Sequence, residues 1–364
     1  LRDERSAGDL TFYANLEAIM PPLNTALNDP SKTGGLAVVG ASGASLEKAL
    51  ALPALLGFGF DLELTEDGVA SHTGLMFREK AGLLRLLSYS DVGLPPAPYV
   101  PEKILSSTVT NFDLSVMLAE LEKILTFASP SAAPLFEIQL QNIKAQTGVD
   151  LRSALIDNFG PEMVTLSVLP KGGPRSGIEA QQEQLFVIEI KDAASLSAAL
   201  EALKDQVPGL RAQIEVRDFE GQTIHRFNPP QNPGQINMAA QEVSYAITRS
   251  HLLVNVGRIT LLQEVLAAMQ GGSGGFWQLP EVEDLYRNIR RPNTVARSYF
   301  DLSQAVGPAL ERLATFAKMA GSRGGRSPEV PEGFDFPYYL ISDMNETDEA
   351  FFSRSLLVPK EGNE

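Results

Sequence analysis

The chain has 364 residues, 44% of them hydrophobic and 21% charged, with a net charge of −15 and no cysteine. Such a composition is that of a folded protein with a substantial core, not of a disordered chain. The negative charge argues against nucleic-acid partners and anionic membrane surfaces, and the lack of cysteine excludes disulfides, thiolate metal sites and a cysteine nucleophile.

The start of the chain carries no predicted membrane span. No stretch of the sequence is long and apolar enough to cross a bilayer, and the most apolar candidate, residues 49–60, is short and interrupted by Pro53. The sequence begins at Leu1 without Met, which agrees with removal of an N-terminal signal or anchor. The polar residues 1–9 would suit a linker after such a segment.

A strand leading into a capped helix is predicted three times. Residues 110–128 (TNFDLSVMLAELEKILTFA) and 298–317 (SYFDLSQAVGPALERLATFA) share Phe-Asp-Leu and a terminal Thr-Phe-Ala, and residues 12–27 form a weaker copy. A carboxylate or amide after the strand can accept hydrogen bonds from the free amides of the first helical turn. The expected caps are Asn15, Asp113 and Asp301.

Between these units, alternating apolar and polar residues predict antiparallel hairpins. The clearest hairpin is residues 58–78, which turns at Glu66-Asp67-Gly68. The other predicted hairpins are residues 211–227, 242–257 and 338–358; the other strands are 106–112, 163–169 and 185–190; the other helices are 82–90, 135–147, 150–160, 193–207, 258–269 and 280–289.

This order predicts an α+β fold with mainly antiparallel sheets and helices packed on one face, built from repeated strand–helix–hairpin units. We predict three α+β units, residues 1–98, 99–275 and 276–364, which can pack into one continuous body. The boundaries follow the Pro-rich link 94–101 and the glycine run 271–275.

Residues 184–269 carry the most distinctive order of elements. A strand is followed by KDAASLSAALEAL, then by FEGQTIHRF, the hairpin YAITRSHLLVNVG and a closing helix. This order resembles a family of uncharacterised secreted or envelope-anchored bacterial proteins, defined as a domain of unknown function, in which such units recur. The resemblance implies an extracytoplasmic protein, periplasmic or secreted, with anchoring through a removed N-terminal segment as a further option. It supplies no catalytic residue.

The sequence identifies no catalytic, cofactor or metal site. Three histidines, His72, His225 and His251, lack the spacing of metal ligands, and no nucleophile elbow is present. We interpret each as a histidine on a strand. His225 and His251 could meet across neighbouring hairpins, where a site would need a carboxylate partner. A pair of glycosidase carboxylates cannot be recognised from the sequence.

The candidate binding residues are aromatic or lie in loops. Phe276 and the single tryptophan, Trp277, follow the glycine run; we favour a role in docking that joint on the core, with a ligand anchor as the alternative. The loops 170–184, 228–240 and 321–333 could form a recognition edge, because loops on rigid scaffolds carry function. With His225 and His251, these two aromatics are the candidate ligand or partner surface.

These features favour a non-enzymatic extracytoplasmic binding or scaffolding protein without a cofactor. Its partner would be a protein, a glycan or an apolar ligand. One alternative is a carrier that holds an apolar ligand between sheet and helices. The other is a hydrolase with a cryptic carboxylate or histidine site.

Overall fold

The structure, a computed structural model, describes residues 9–27, 50–90, 92–128, 132–169, 183–227, 242–272, 275–307 and 336–360. The three predicted recognition loops fall almost entirely outside these ranges. The strands are β1 (Leu10–Asn15), β2 (Leu55–Thr65), β3 (Gly68–Phe77), β4 (Ser106–Asn111), β5 (Phe159–Val168), β6 (Glu183–Ile190), β7 (Ile214–Phe219), β8 (Gln222–Phe227), β9 (Val243–Ile247), β10 (His251–Val256), β11 (Thr294–Asp301), β12 (Tyr338–Glu346) and β13 (Ala350–Pro359).

Six α-helices lie in four of the connections between these strands within the described ranges, and residues 302–307 are also helical. Shorter 3₁₀ turns include Gly82–Leu87 and Phe276–Gln278, and Arg152–Asp157 forms a π-helical turn. The α-helices are α1 (Leu16–Leu27), α2 (Leu114–Ala128), α3 (Ala132–Thr147), α4 (Ala193–Gln206), α5 (Thr260–Gly271) and α6 (Pro280–Ile289).

All thirteen strands of the described residues belong to one sheet, and every neighbouring pair is antiparallel. The order is β1-β2-β3-β13-β12-β11-β4-β5-β6-β10-β9-β8-β7. The predicted α+β class with a mainly antiparallel sheet is therefore confirmed. Strands from the three predicted units pair directly, β3 with β13 and β11 with β4; the division into three units itself stays a prediction.

The three predicted helix caps are confirmed. Asn15 Oδ1 accepts a hydrogen bond from the Ala18 amide at 3.3 Å, and Asp113 Oδ1 accepts one from the Val116 amide at 3.0 Å. Asp301 caps residues 302–307 in the same way, through the Ser303 amide at 3.1 Å. Each cap lies at the end of a strand or within two residues of it and precedes a helix, so these side chains stabilise the helix starts.

The predicted helix end at Gly160-Pro161 is wrong. Gly160 and Pro161 were expected to end a helix, but they lie inside β5. The pairing of β5 with β6 shifts between Phe159 and Met163. Pro161, which cannot donate to a ladder, is accommodated at this irregularity, and its carbonyl accepts the Phe112 amide.

Helices cover both faces of the sheet, which corrects the prediction of one helical face. On one face, Val187 and Leu253 are buried in the same cluster as Leu262 of α5. On the other, Leu252 packs with Leu196 of α4. The physical reason is that β6 and β10 are apolar on both sides, so both sides need cover. We call the face that carries Val187 and Leu253 the inner face.

Along the inner face, the sheet changes from apolar to charged. Val109 on β4 lies opposite Val164, which lies opposite Val187. In the other direction Val109 lies opposite Arg297. From Arg297 onward, each directly paired residue on the next strand is ionisable. Because paired residues share a face of the sheet, these side chains form one charged row across five strands. The row consists of Arg297, Asp343, Arg354, His72 and Asp61.

Candidate functional site

A cleft of 1420 Å³ lies beside this charged row. Its walls are the C-terminal half of α6 with the turn that follows, the start of β11, the 3₁₀ turn at Trp277–Gln278, residues 89, 90, 92–94 and 96, and the β12–β13 turn. The helix has its place because its amphipathic sequence buries Val282, Tyr286 and Ile289 on the sheet and leaves its polar side outward. The cleft exceeds the usual size of a small-molecule site, roughly 300–1,000 Å³.

The cleft is rich in basic groups although the chain is acidic. Three acidic side chains line it, Glu283, Glu346 and Asp348. Five basic side chains line it, namely Lys80, Arg287, Arg290, Arg291 and Arg297. In a chain with 45 acidic and 30 basic residues, this local excess of positive charge raises the potential where a ligand would enter.

Arg297 is held between an aromatic ring and two backbone carbonyls. Its guanidinium carbon lies 4.5 Å from the centre of the Trp277 ring, a cation–π contact. Its Nη2 donates to the carbonyls of Pro95 and Pro96, each at 3.0 Å. Burial lowers the pKa of this guanidinium, and the positive charge of Arg290 adds to that effect.

Asp343 stabilises the wall of the cleft through hydrogen bonds. The carboxylate is 1% exposed and accepts hydrogen bonds from Tyr286 Oη at 2.6 Å, Thr294 Oγ1 at 2.9 Å and the Arg291 amide at 3.3 Å. Burial raises its pKa in spite of these donors. One side chain of β12 thus ties together α6, its following turn and the first residue of β11.

Comparison with known proteins identifies the family. A family model described as "Protein of unknown function (DUF3352)" matches residues 81–321, more than half of the chain. The chain belongs to this family. No curated protein matches it.

Three crystal forms of TP0453 have a similar backbone. Form III is 10% identical over 75% of this chain and 83% of that chain, with a TM-score of 0.35. Form IV is 10% identical over 71% and 79%, with a TM-score of 0.33, and form I is 8% identical over 74% and 95%, with a TM-score of 0.29. At these scores the similarity supports no argument about function.

Most of the cleft residues lie in the part of the chain that the family model covers.

Phe276 and Trp277 are both 4% exposed. Trp277 donates from Nε1 to Ser107 Oγ at 3.1 Å, and Phe276 packs against Tyr299 with ring centres 4.5 Å apart. Both aromatics dock the segment on the core, and Trp277 also lines the cleft; the role as a ligand anchor stays a prediction.

The structure separates His225 and His251. His225 stacks on Tyr245, with ring centres 4.6 Å apart and 10° between planes. Its neighbour Ile224 belongs to the inner-face cluster, so His225 points to the opposite face. His251 is paired with Glu189 on the inner face. The two histidines therefore form no joint site.

His251 does have the carboxylate neighbour that a cryptic site would require. Its Nε2 lies 3.7 Å from Glu162 Oε2, and Tyr99 donates its hydroxyl to the other oxygen of Glu162. Burial acts to raise the pKa of Glu162, but His251 and Tyr99 together hold it below its usual value. Tyr99, 5% exposed, lies against the imidazole ring, with ring centres 5.7 Å apart. The arrangement anchors residues 94–104 to the sheet.

Two further cavities occur in the described part of the chain. One of 70 Å³ lies at the charged row, beside His72, Asp61 and Arg354; burial lowers the pKa of His72, and Arg354 adds to the effect. The other, of 750 Å³, has a mixed lining that includes Leu105, Val168, Glu183 and Asp301. Within the described residues, no three His, Asp or Glu side chains converge as a metal site, and no helix is long and apolar enough to cross a membrane.

Sequence reasoning missed Arg297, Asp343 and Arg290. A signal for the first two exists, because each is a charge at an inward position of an alternating strand. Arg297 lies between Val295 and Tyr299, and Asp343 follows Ile341 at the same spacing. A buried charge in an apolar row indicates a site or a structural network. Arg290 follows α6 and carries no such signal.

Proposed function

We propose that the protein is a non-enzymatic binding protein of the cell envelope or extracellular space, and that its ligand lies in the 1420 Å³ cleft. The observation that carries the proposal is the cleft itself, which combines volume, an aromatic wall at Trp277 and converging charged groups. Large concave sites with a few converging polar groups are the usual place of ligands.

The rigidity of the cleft walls supports a binding role. Asp343 ties α6 and β11 together, and Trp277 is fixed to β4 through Ser107. A site that is held in place before the ligand arrives spends less free energy on ordering. The extracytoplasmic location is part of the proposal; the family resemblance of residues 184–269 and the absence of cysteine agree with it.

The natural absence of cysteine permits a clean test. Asp348→Cys places one thiol on the exposed rim of the cleft, and Asp218→Cys places one on the exposed edge strand β7 as the control. Each variant is labelled with a bulky maleimide and screened by thermal shift against sugars, peptides, organic acids, nucleotides and fatty acids.

We expect at least one compound class to raise Tm by mass action. The label at residue 348 should abolish the shift, and the label at 218 should leave it unchanged. Shifts that persist with the label at 348 would place binding elsewhere. Turnover of a compound, lost in Glu162→Gln, would instead support the hydrolase alternative.

The carrier alternative is favoured by one observation, the 750 Å³ cleft with Leu105, Val168 and Tyr299 in its lining. It predicts that fatty acids give the largest Tm shift and that the label at residue 348 does not affect them. The basic lining of the larger cleft favours a polar ligand there.

A further inference from the structure

Two guanidinium groups in the cleft form no direct ion pair with a carboxylate of the described residues. Arg297 donates hydrogen bonds to the carbonyls of Pro95 and Pro96 and lies over the Trp277 ring, and its buried Nε has no hydrogen-bond partner among the described residues. Arg290 is exposed at the rim and forms no ion pair within the part of the chain that the structure describes.

Several other described arginines are paired with carboxylates. Arg287, on the same helix, pairs with Asp284 at 2.8 Å. Arg211 pairs with Glu201 at 3.0 Å and also with Asp205. Acidic residues outnumber basic ones in this chain, yet these two guanidiniums line one cleft without a direct ion pair among the described residues. A mostly buried cation without a direct ion pair is costly, and an anion supplied from solution would offset that cost.

The dipole of α6 explains the position of only some of the basic side chains in the cleft. Arg287 and Arg290 lie at the C-terminal end of α6, where cations stabilise the carbonyl end of a helix. Arg297 is on β11, outside the reach of that explanation. Arg290 and Arg297 both line the cleft, and the positive charge of Arg290 lowers the pKa of Arg297, so one anion bound in the cleft would stabilise both.

We infer that the cleft binds a small polyanion carrying at least two phosphate or carboxylate groups, with Arg290 and Arg297 as its anion-binding residues. The inference rests on the proposed function, since it names the ligand class of the same cleft. The planar donor fork of arginine suits either group, because both accept two parallel hydrogen bonds.

Fluorescence emission of the single tryptophan, Trp277, can report ligand binding. Since the Arg297 guanidinium lies over the Trp277 ring, an anion that binds Arg297 will change the emission of that ring. The wild-type chain is titrated with inorganic pyrophosphate and with citrate at constant ionic strength, with sodium chloride and a neutral disaccharide as controls. We expect a saturable emission change with one or both polyanions and none with the controls; preference between the two separates phosphate from carboxylate chemistry.

Arg290→Gln removes an exposed charge and should leave the fold intact. It is expected to weaken polyanion affinity about tenfold, the effect of losing one charged hydrogen bond. Arg211→Gln, an exposed arginine outside the cleft, is the matched control and should change nothing. A third variant, Asp91→Asn, removes the carboxylate that follows Ser90 in the chain.

Three outcomes would overturn the inference: no emission change with either polyanion, affinity unaffected by Arg290→Gln, or binding seen only in Asp91→Asn, which would mean that the guanidiniums are already neutralised. A neutral compound that binds the cleft while polyanions do not would overturn the inference and leave the proposed function standing.

Discussion

The side chain of Asp301, the last residue of β11, interacts both with the helix that follows and with a lysine distant in sequence. It is 3% exposed, caps the helix that begins at residue 302, and accepts a hydrogen bond from Lys360 Nζ at 2.7 Å. Burial opposes its ionisation, but hydrogen bonds from Lys360, Ser303 and Gln304 hold its pKa below the usual value. Because the folded pKa is lowered, the stabilisation exists above the unfolded pKa of about 3.9 and is lost as pH falls through the folded pKa.

Asp301→Asn should therefore cost about 2 kcal/mol of unfolding free energy at pH 7, the worth of hydrogen bonds to a charged group. The difference from wild type should shrink as pH falls below about 4. Urea unfolding across this pH range measures it. Asp113→Asn, a cap without a lysine partner, is the control and should cost less at pH 7. A pH-independent loss in Asp301→Asn would show that the charge is not involved.

Tyr286 is the second residue whose effect can be predicted. Its hydroxyl donates to the buried carboxylate of Asp343 at 2.6 Å, so Tyr286→Phe leaves that carboxylate short of a donor. We expect a loss of about 1.5–3 kcal/mol and weaker ligand binding, because the wall of the cleft loses a tether. Tyr89→Phe, on the opposite wall, is the control for stability. Equal, small losses in both variants would contradict the role assigned to Asp343.

At the scale of elements, the sequence predicted most helices and strands, because their signals are local. The caps at Asn15, Asp113 and Asp301 follow from residue type and position alone. The predicted hairpins all occur, including the turn at Gly68. The boundary at Gly160-Pro161 failed because a proline in a strand depends on an irregularity in pairing with β6, which is a long-range feature.

Gly68 tests the element that joins β2 and β3. Its φ is +140°, and a Cβ there would lie 2.0 Å from the carbonyl oxygen of Leu357 on β13. Gly68→Ala should therefore strain the turn and push β3 from β13, costing more than about 2 kcal/mol. Gly221→Ala, at φ +77° with open space around it, carries the backbone strain alone. Chemical denaturation of both variants separates the two effects; equal losses would contradict the clash.

For the whole molecule, the strand order could not be read from the chain. Pairing of β13 with β3, and of β11 with β4, joins segments distant in sequence, and no local pattern encodes the choice of partner. The same holds for the cleft. Trp277 was a candidate because it is the single tryptophan of the chain. Arg297 and Asp343 can be recognised as a pair only when the sheet aligns them in one charged row.

A continuous sheet predicts that the three sequence ranges unfold together. Leu356 lies on β13, is 4% exposed and belongs to the main core cluster. Leu356→Ala should reduce the free energy of unfolding by about 2–5 kcal/mol. The midpoint of unfolding should fall equally when followed by Trp277 emission and by far-ultraviolet circular dichroism. If the two probes separate, with Trp277 unaffected, the strands around β13 form an independent domain.

We propose that the cleft between α6, β11 and residues 89, 90, 92–94 and 96 binds the ligand of this protein. A crystal structure with the compound that gives the largest thermal shift tests it most directly. We expect electron density for the compound against Arg290, Arg297 and the edge of Trp277. Density in the cleft beside Leu105 and Val168, with the larger cleft empty, would contradict it.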